Sequence, residues 1–248
     1  MFTPLTLLGL VAGILATSFL SGLFGMAGGM ILMGLLLLMV PVPAAMVLHG
    51  VTQLASNGWR AWLWRRHIER HVALGYAGGA LLALGLFTLV QLVPGEATVL
   101  IFLGLMPFAN RLVPERYAVG VHRRGGSLAC GFVCTALQLI AGVSGPVLDI
   151  FFVNAPLDRR QIVATKAVTQ SLGHLLKLVY FGGLVAGADS FVEPHVYAVA
   201  ILTALAGTTL SRRLLEGMSE GAFRAWSGRI IMAIGAVYLG QGLWLLLG

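Results

Sequence analysis

Apolar runs of about 20 residues recur along the whole chain, and nearly all of its arginines are confined to alternate connections between those runs. A run of that length, wound as a helix, crosses a hydrocarbon core of about 30 Å. The two-residue alternation of a transmembrane β-strand is absent, which argues against a β-barrel. Only 10% of the residues are charged and 58% are hydrophobic, against about 25% charged in soluble domains. The expectation is an all-α, polytopic membrane protein. Segments are expected near 5–24, 28–40, 43–64, 72–93, 96–110, 126–142, 145–154, 159–183, 193–210 and 230–247. The first is apolar from its start and has no basic stretch before it, so it reads as a retained membrane segment. The remaining length leaves no room for a sizeable soluble domain. The chain divides as an N-terminal repeat over 1–110, a polar linker over 111–125 and a C-terminal repeat over 126–248, all within one membrane domain.

Charge sets the expected orientation. Arg65, Arg66 and Arg70 follow the third segment, and Arg111, Arg116, Arg123 and Arg124 follow the fifth. Arg159 and Arg160 follow the seventh, and Arg212, Arg213, Arg224 and Arg229 follow the ninth. The connections near 40–43, 93–96 and 184–193 hold no Lys or Arg and carry Glu96, Asp189 and Glu193. By the positive-inside rule the basic connections are cytoplasmic, and both termini then lie on the outer side. The net charge of +7 is an orientation signal and gives no reason to expect nucleic acid. The stretch 211–229 mixes Arg212, Arg213 and Arg224 with Leu214, Leu215, Phe223 and Trp226, and reads as an amphipathic helix lying in the interface.

Two constellations repeat at an offset of 117 residues. Gly25, Gly28 and Gly29 precede Thr52, Gln53, Asn57 and Arg60; Gly142, Ser144 and Gly145 precede Thr169, Gln170, His174 and Lys177. The connection after Arg60 is basic, and the one after Lys177 is acidic. Corresponding connections therefore face opposite sides, each half crosses an odd number of times, and the repeats are expected to be inverted. Inverted repeats are a recurrent plan of secondary transporters. Re-entrant hairpins and full crossings at the glycine breaks have the same parity, so both stay open.

His49, Thr52, Gln53, Ser56, Asn57 and Arg60 follow the i, i+3, i+4 spacing of one helical face. Lys166, Thr169, Gln170, Gly173, His174 and Lys177 repeat it in the second half. Such stripes serve either as hydrogen-bonded glue between helices or as the lining of a polar path. Arg60, Lys166 and Lys177 lie near segment ends and could reach the interface by extending along the helix. The Thr-Gln pairs cannot escape in that way.

The glycine breaks read as helix starts inside the membrane, Pro146 suiting a first turn. Gly25 and Gly29 also fit the G-x-x-x-G packing spacing. A helix N-terminus offers unpaired N–H donors and a partial positive charge, which suits an anion. Asp149 is expected to pair with Lys166 or Arg160, or to carry a coupling proton. Cys130 and Cys134 read as small packing residues, and no metal or other cofactor is expected.

The pattern resembles the sulfite exporter TauE/SafE family, on Gly22, Gly25, Gly28 and Gly29, then Thr52, Gln53 and Asn57, with Gly142, Gly145, Pro146, Thr169 and Gln170 as the second copy. The resemblance implies a bacterial inner-membrane carrier that exports sulfite, sulfonates or related sulfur anions. The second break departs from the usual longer glycine run with Val143-Ser144-Gly145-Pro146. The expected substrate site joins Gly25, Gly28, Gly29, Thr52, Gln53, Asn57 and Arg60 to Gly142, Ser144, Gly145, Thr169, Gln170, His174 and Lys177. His49, Asp149 and Lys166 are the coupling candidates. The expected partners are a small anion and the lipid bilayer, with a second copy of the chain left open. The rivals are an anion channel and an uptake carrier for another oxyanion or carboxylate. A membrane enzyme would need its acids, histidines and cysteines gathered at one depth, and here they are scattered.

Overall fold

The computed structural model describes residues 3–24, 27–112, 119–215 and 220–247, and among these every regular element is helical. The first half contains α1 (Pro4–Phe24), α2 (Ala27–Leu37), α3 (Val42–Leu63), α4 (Arg70–Val90) and α5 (Glu96–Leu112). The second contains α6 (Gly126–Ala141), α7 (Gly145–Phe152), α8 (Arg159–Val179), α9 (Pro194–Leu215) and α10 (Glu220–Leu247). All ten expected segments are present, nine of them within about five residues of their expected ends, while α10 begins at Glu220, well before the expected 230. The stretch 211–229 is a correction. Its described residues are the end of α9 and the start of α10, so they continue long helices instead of forming one of their own; 216–219 lie outside the described residues. The linker residues 113–118 and the site candidate Gly25 also lie outside them.

Local chemistry explains several of the ends. Pro41 and Pro43 open α3, where a missing N–H leaves no helical bond unmade. Asp158 opens α8 with a capping box: its carboxylate accepts from the backbone N–H groups of Arg160 and Gln161, and the Gln161 side chain accepts from the Asp158 N–H. Gly142 closes α6 in the left-handed conformation, φ 78°, with its N–H on the Gln138 carbonyl. The α8 spiral does not stop at Val179. It widens into a π-helical turn over Tyr180–Leu184, and the Tyr180 hydroxyl donates to the Phe87 and Leu92 carbonyls at the end of α4.

At a rise of 1.5 Å per residue, α2 (11 residues) is about 16 Å long and α7 (8 residues) about 12 Å, too short to cross alone. Pro4–Ser21, Arg70–Val90 and Pro194–Ser211 are long and apolar enough to cross. The outer surface carries Leu74, Leu81 and Leu89 of α4 and Leu202 of α9, a skin suited to lipid. The chain is a multi-pass membrane protein.

The helix pairing crosses between the halves. The most extensive neighbours are α4 with α6, α1 with α9, α5 with α10, and α3 with α8. Exchanging each helix for its counterpart five places along turns α4–α6 into α9–α1 and leaves α3–α8 and α5–α10 unchanged. In α3 and α8, Gly50 lies against Leu178 and Gly58 faces Ser171, so the two run antiparallel. In α5 and α10, Gly104 lies against Leu239 and Gly242 against Ile101, again antiparallel. In α4 and α6, Gly75 meets Ser127 and Gly79 meets the Phe132 N–H, so these run parallel. Leu32, Met33, Leu36, Met46, Leu48, Leu139 and Leu148 are buried in the core, with Met33 and Met46 against Gly142.

Candidate functional site

The two polar stripes face inward. On α3, His49, Thr52, Gln53, Ser56 and Asn57 are buried, and Arg60 is half-buried. On α8, Thr169, Gly173, His174 and Lys177 are buried, while Lys166 and Gln170 are half-buried. Because α3 and α8 are antiparallel, the His49 end of one meets the Lys177 end of the other. The Arg60 end meets the Lys166 end in the same way.

At the first junction one chain of hydrogen bonds joins the two glycine breaks. His49 Nε2 lies 2.9 Å from the Gly29 carbonyl oxygen. Lys177 Nζ lies 2.8 Å from His49 Nδ1 and donates to the Gly142 carbonyl at 2.9 Å. The Gly29 carbonyl can only accept, and this fixes the imidazole tautomer. Nδ1 accepts from Lys177, and Nε2 carries the hydrogen that goes to Gly29. His174 stacks beside this bridge, its ring centroid 5.5 Å from that of His49.

Lys177 therefore does not extend to the interface, which corrects one option left open by its place in the sequence. Its side chain has no exposed surface. The π-helical turn carries the α8 spiral past Lys177 to Leu184, close to the expected end at 183, and the lysine turns inward from there. Both of its bonds are to neutral groups, an imidazole and a carbonyl. A basic group so placed, with neutral partners and little water, favours a compensating anion nearby.

The second junction differs. Lys166 pairs with Asp149 of α7, so of the two bases expected as partners of this acid, Lys166 and Arg160, the contact is with Lys166. The positive charges of Arg60 and Lys166 act on each other there. Arg60 Nη2 reaches the Ser21 carbonyl at 3.4 Å. Ser21 lies in the last turn of α1 and Gly142 ends α6, so each half sets a basic side chain from its polar helix on the carbonyl end of the helix before its break. That end carries partial negative charge. Part of what Arg60 and Lys177 do is therefore structural: they close the ends of α1 and α6.

The remaining candidates divide. Thr52 donates to Leu48 O at 2.8 Å and Thr169 to Lys166 O at 3.0 Å, so both hydroxyl hydrogens return to their own helix. Asn57 Nδ2 donates to the Gln53 carbonyl and to Gln53 Oε1. Ser56 bonds Thr208 of α9 at 2.7 Å, which is glue between helices. Gly28 is a packing residue: a Cβ there would collide with the Thr17 carbonyl of α1. Gly29 instead faces the Gln53 amide, with 3.6 Å of room. Gly145 begins α7 and is buried, and Ser144 before it caps nothing with its side chain. Its hydroxyl donates to Gln138 Oε1 at 3.0 Å. Gln138 is absent from the sequence-based set. A glutamine one turn before Gly142, in an otherwise apolar segment, was a visible signal.

No match was found among curated proteins or solved structures. The family model described as Sulfite exporter TauE/SafE matches residues 9–238, nearly the whole chain. That span contains both glycine breaks, both polar helices and the His49–Lys177 bridge between them. The family is one of membrane transporters of sulfur-containing anions, and this chain belongs to it.

Proposed function

We propose that the chain is a secondary transporter that carries sulfite or an organosulfonate out of the cytoplasm across the bacterial inner membrane. The observation that carries this reading is Lys177, a basic side chain fully enclosed between the two breaks, whose hydrogen-bond partners among the described residues are neutral. An anion arriving there supplies the missing negative charge. The anion would sit near the starts of α2 and α7, within reach of Gln53, Gln170 and His174.

The two halves act as inverted repeats in this reading. The swap-invariant helix pairing and the antiparallel α3–α8 and α5–α10 pairs support it. A two-fold axis relating antiparallel neighbours lies across them, in the plane of the membrane. The basic connections face the cytoplasm and both termini face outward. The two junctions between α3 and α8 then lie toward opposite sides of the membrane. The His49–Lys177–Gly142 bridge closes the outer one, and the Asp149–Lys166 pair stands at the inner one. Export would alternate between breaking the two closures. A carrier needs a closure on each side of its site, and this reading assigns one to each junction.

The test is uptake of radiolabelled sulfite and methanesulfonate into proteoliposomes, for the wild type, Gln53→Ala and Gln170→Ala. Concentrative flux in the wild type, reduced about tenfold or more in the variants, is expected. Flux that only dissipates a gradient would identify a channel. Unchanged flux in both variants would remove these glutamines from the site.

A further inference from the structure

Three buried side-chain nitrogens around the bridge find no hydrogen-bond partner among the described residues: Gln53 Nε2, Gln138 Nε2 and His174 Nδ1. Each belongs to a side chain at least nine-tenths buried. An amide nitrogen deprived of an acceptor in an apolar interior is expensive, by about 1–3 kcal/mol from mutational data. Two in one small region point to a ligand that accepts hydrogen bonds.

Turning the Gln53 amide over would set its NH₂ against that of Asn57. Gln53 Oε1 takes the Asn57 amide hydrogen at 3.3 Å. Gln138 Oε1 takes the Ser144 hydroxyl hydrogen at 3.0 Å. Gly173 presses on the same amide, and a Cβ there would stand 2.7 Å from Gln138 Oε1. In both glutamines the oxygen is engaged within the protein and the NH₂ is left over. The nearby carbonyls are engaged as well, Gly29 by His49 and Gly142 by Lys177. What the two amides offer a ligand is therefore donors, and His174 Nδ1 is the third group left without a partner.

We propose that Gln138 is a substrate-binding residue, held oxygen-inward by Ser144, and that with Gln53 it selects anions whose oxygens carry no proton. The inference rests on the transport reading above and deepens it. A sulfonate or the sulfite dianion accepts at every oxygen. A hydrogen phosphonate turns an O–H donor toward amide N–H groups, which accept nothing. Such a buried mismatch can discriminate strongly, because it leaves a polar group unpaired. Ser144 acts as a positioning residue through Gln138.

The experiment uses the full chain in detergent or nanodiscs. Binding of methanesulfonate and of methylphosphonate is measured by calorimetry at a pH where the phosphonate retains one proton. The wild type is expected to favour methanesulfonate. Gln138→Ala is expected to weaken methanesulfonate binding about tenfold to a hundredfold. Ser144→Ala releases the amide to present its oxygen, and is expected to narrow the methanesulfonate-to-methylphosphonate ratio several-fold. That ratio is a readout a merely structural role would not move, and Ser144→Ala carries the test if Gln138→Ala does not fold. Wild-type discrimination with Kd and ratio unchanged in both variants would overturn the assignment of Gln138 while leaving the transport reading intact. A wild type that binds neither methanesulfonate nor sulfite would overturn the transport reading, and this inference with it.

Discussion

Lys177 of α8 donates from a fully buried position to Nδ1 of His49 on α3, at 2.8 Å. The contact joins the two halves of the chain across 128 residues. Removing either partner leaves a buried polar group with less than its full set of bonds. Lys177→Met is expected to lower stability by about 1–3 kcal/mol, read as a drop in the thermal midpoint of the purified protein. His49→Ala should behave similarly. The double variant should fall short of the sum of the two, with a coupling of about 0.5–3 kcal/mol. Additive losses would show that the contact carries no energy of its own.

The glycines at the first break separate packing from site. Gly28→Ala drives a Cβ into the backbone of α1, which cannot yield as a side-chain end can. It is expected to destabilise by about 1–3 kcal/mol or more and to broaden or abolish the monodisperse peak in size-exclusion chromatography. Gly29→Ala meets only the Gln53 amide, at ordinary contact distance. It should fold normally and alter transport. Gly58→Ala, whose nearest neighbour is Ser171 Oγ at 4.0 Å, should leave both folding and flux unchanged.

The Asp149–Lys166 pair is only partly buried, so its effect on stability should be small. Asp149→Asn is expected to shift stability by less than about 1 kcal/mol, and less again in high salt. If Asp149 instead carried a coupling proton, the same variant would flatten the pH dependence of flux. Measuring both quantities on one preparation separates the roles.

Orientation is tested by labelling. In a background of Cys130→Ala and Cys134→Ala, single variants Arg123→Cys and Glu96→Cys would be treated with a membrane-impermeant thiol reagent on intact spheroplasts. Glu96→Cys is expected to react directly, and Arg123→Cys only after the membrane is opened. The reverse pattern would turn the chain over and with it the direction of export.

Much of the fold was legible because each signal was local. Pro43, Gly142 and the Asp158-to-Gln161 capping box mark helix ends through their own backbone needs. The stripes were legible because polar residues at helical spacing have one way to avoid lipid. The fate of Lys177 was not legible. Its segment ends at Leu184, close to the expected 183, and what holds the side chain inside is His49 and the Gly142 carbonyl, which only folding brings to it. Gln138 was passed over because it lies outside the repeated constellation, in a segment with few polar residues. Its significance comes from Ser144 and Gly173, which only folding brings to it.

The crossed pairing of helices also bears on how the protein is made. The widest faces of α1 and α4 are matched to α9 and α6, which the ribosome has not yet produced when the first half enters the bilayer. Half a chain is thus a set of helices awaiting neighbours, and the interior that encloses Lys177 comes into being only once both halves are in the membrane.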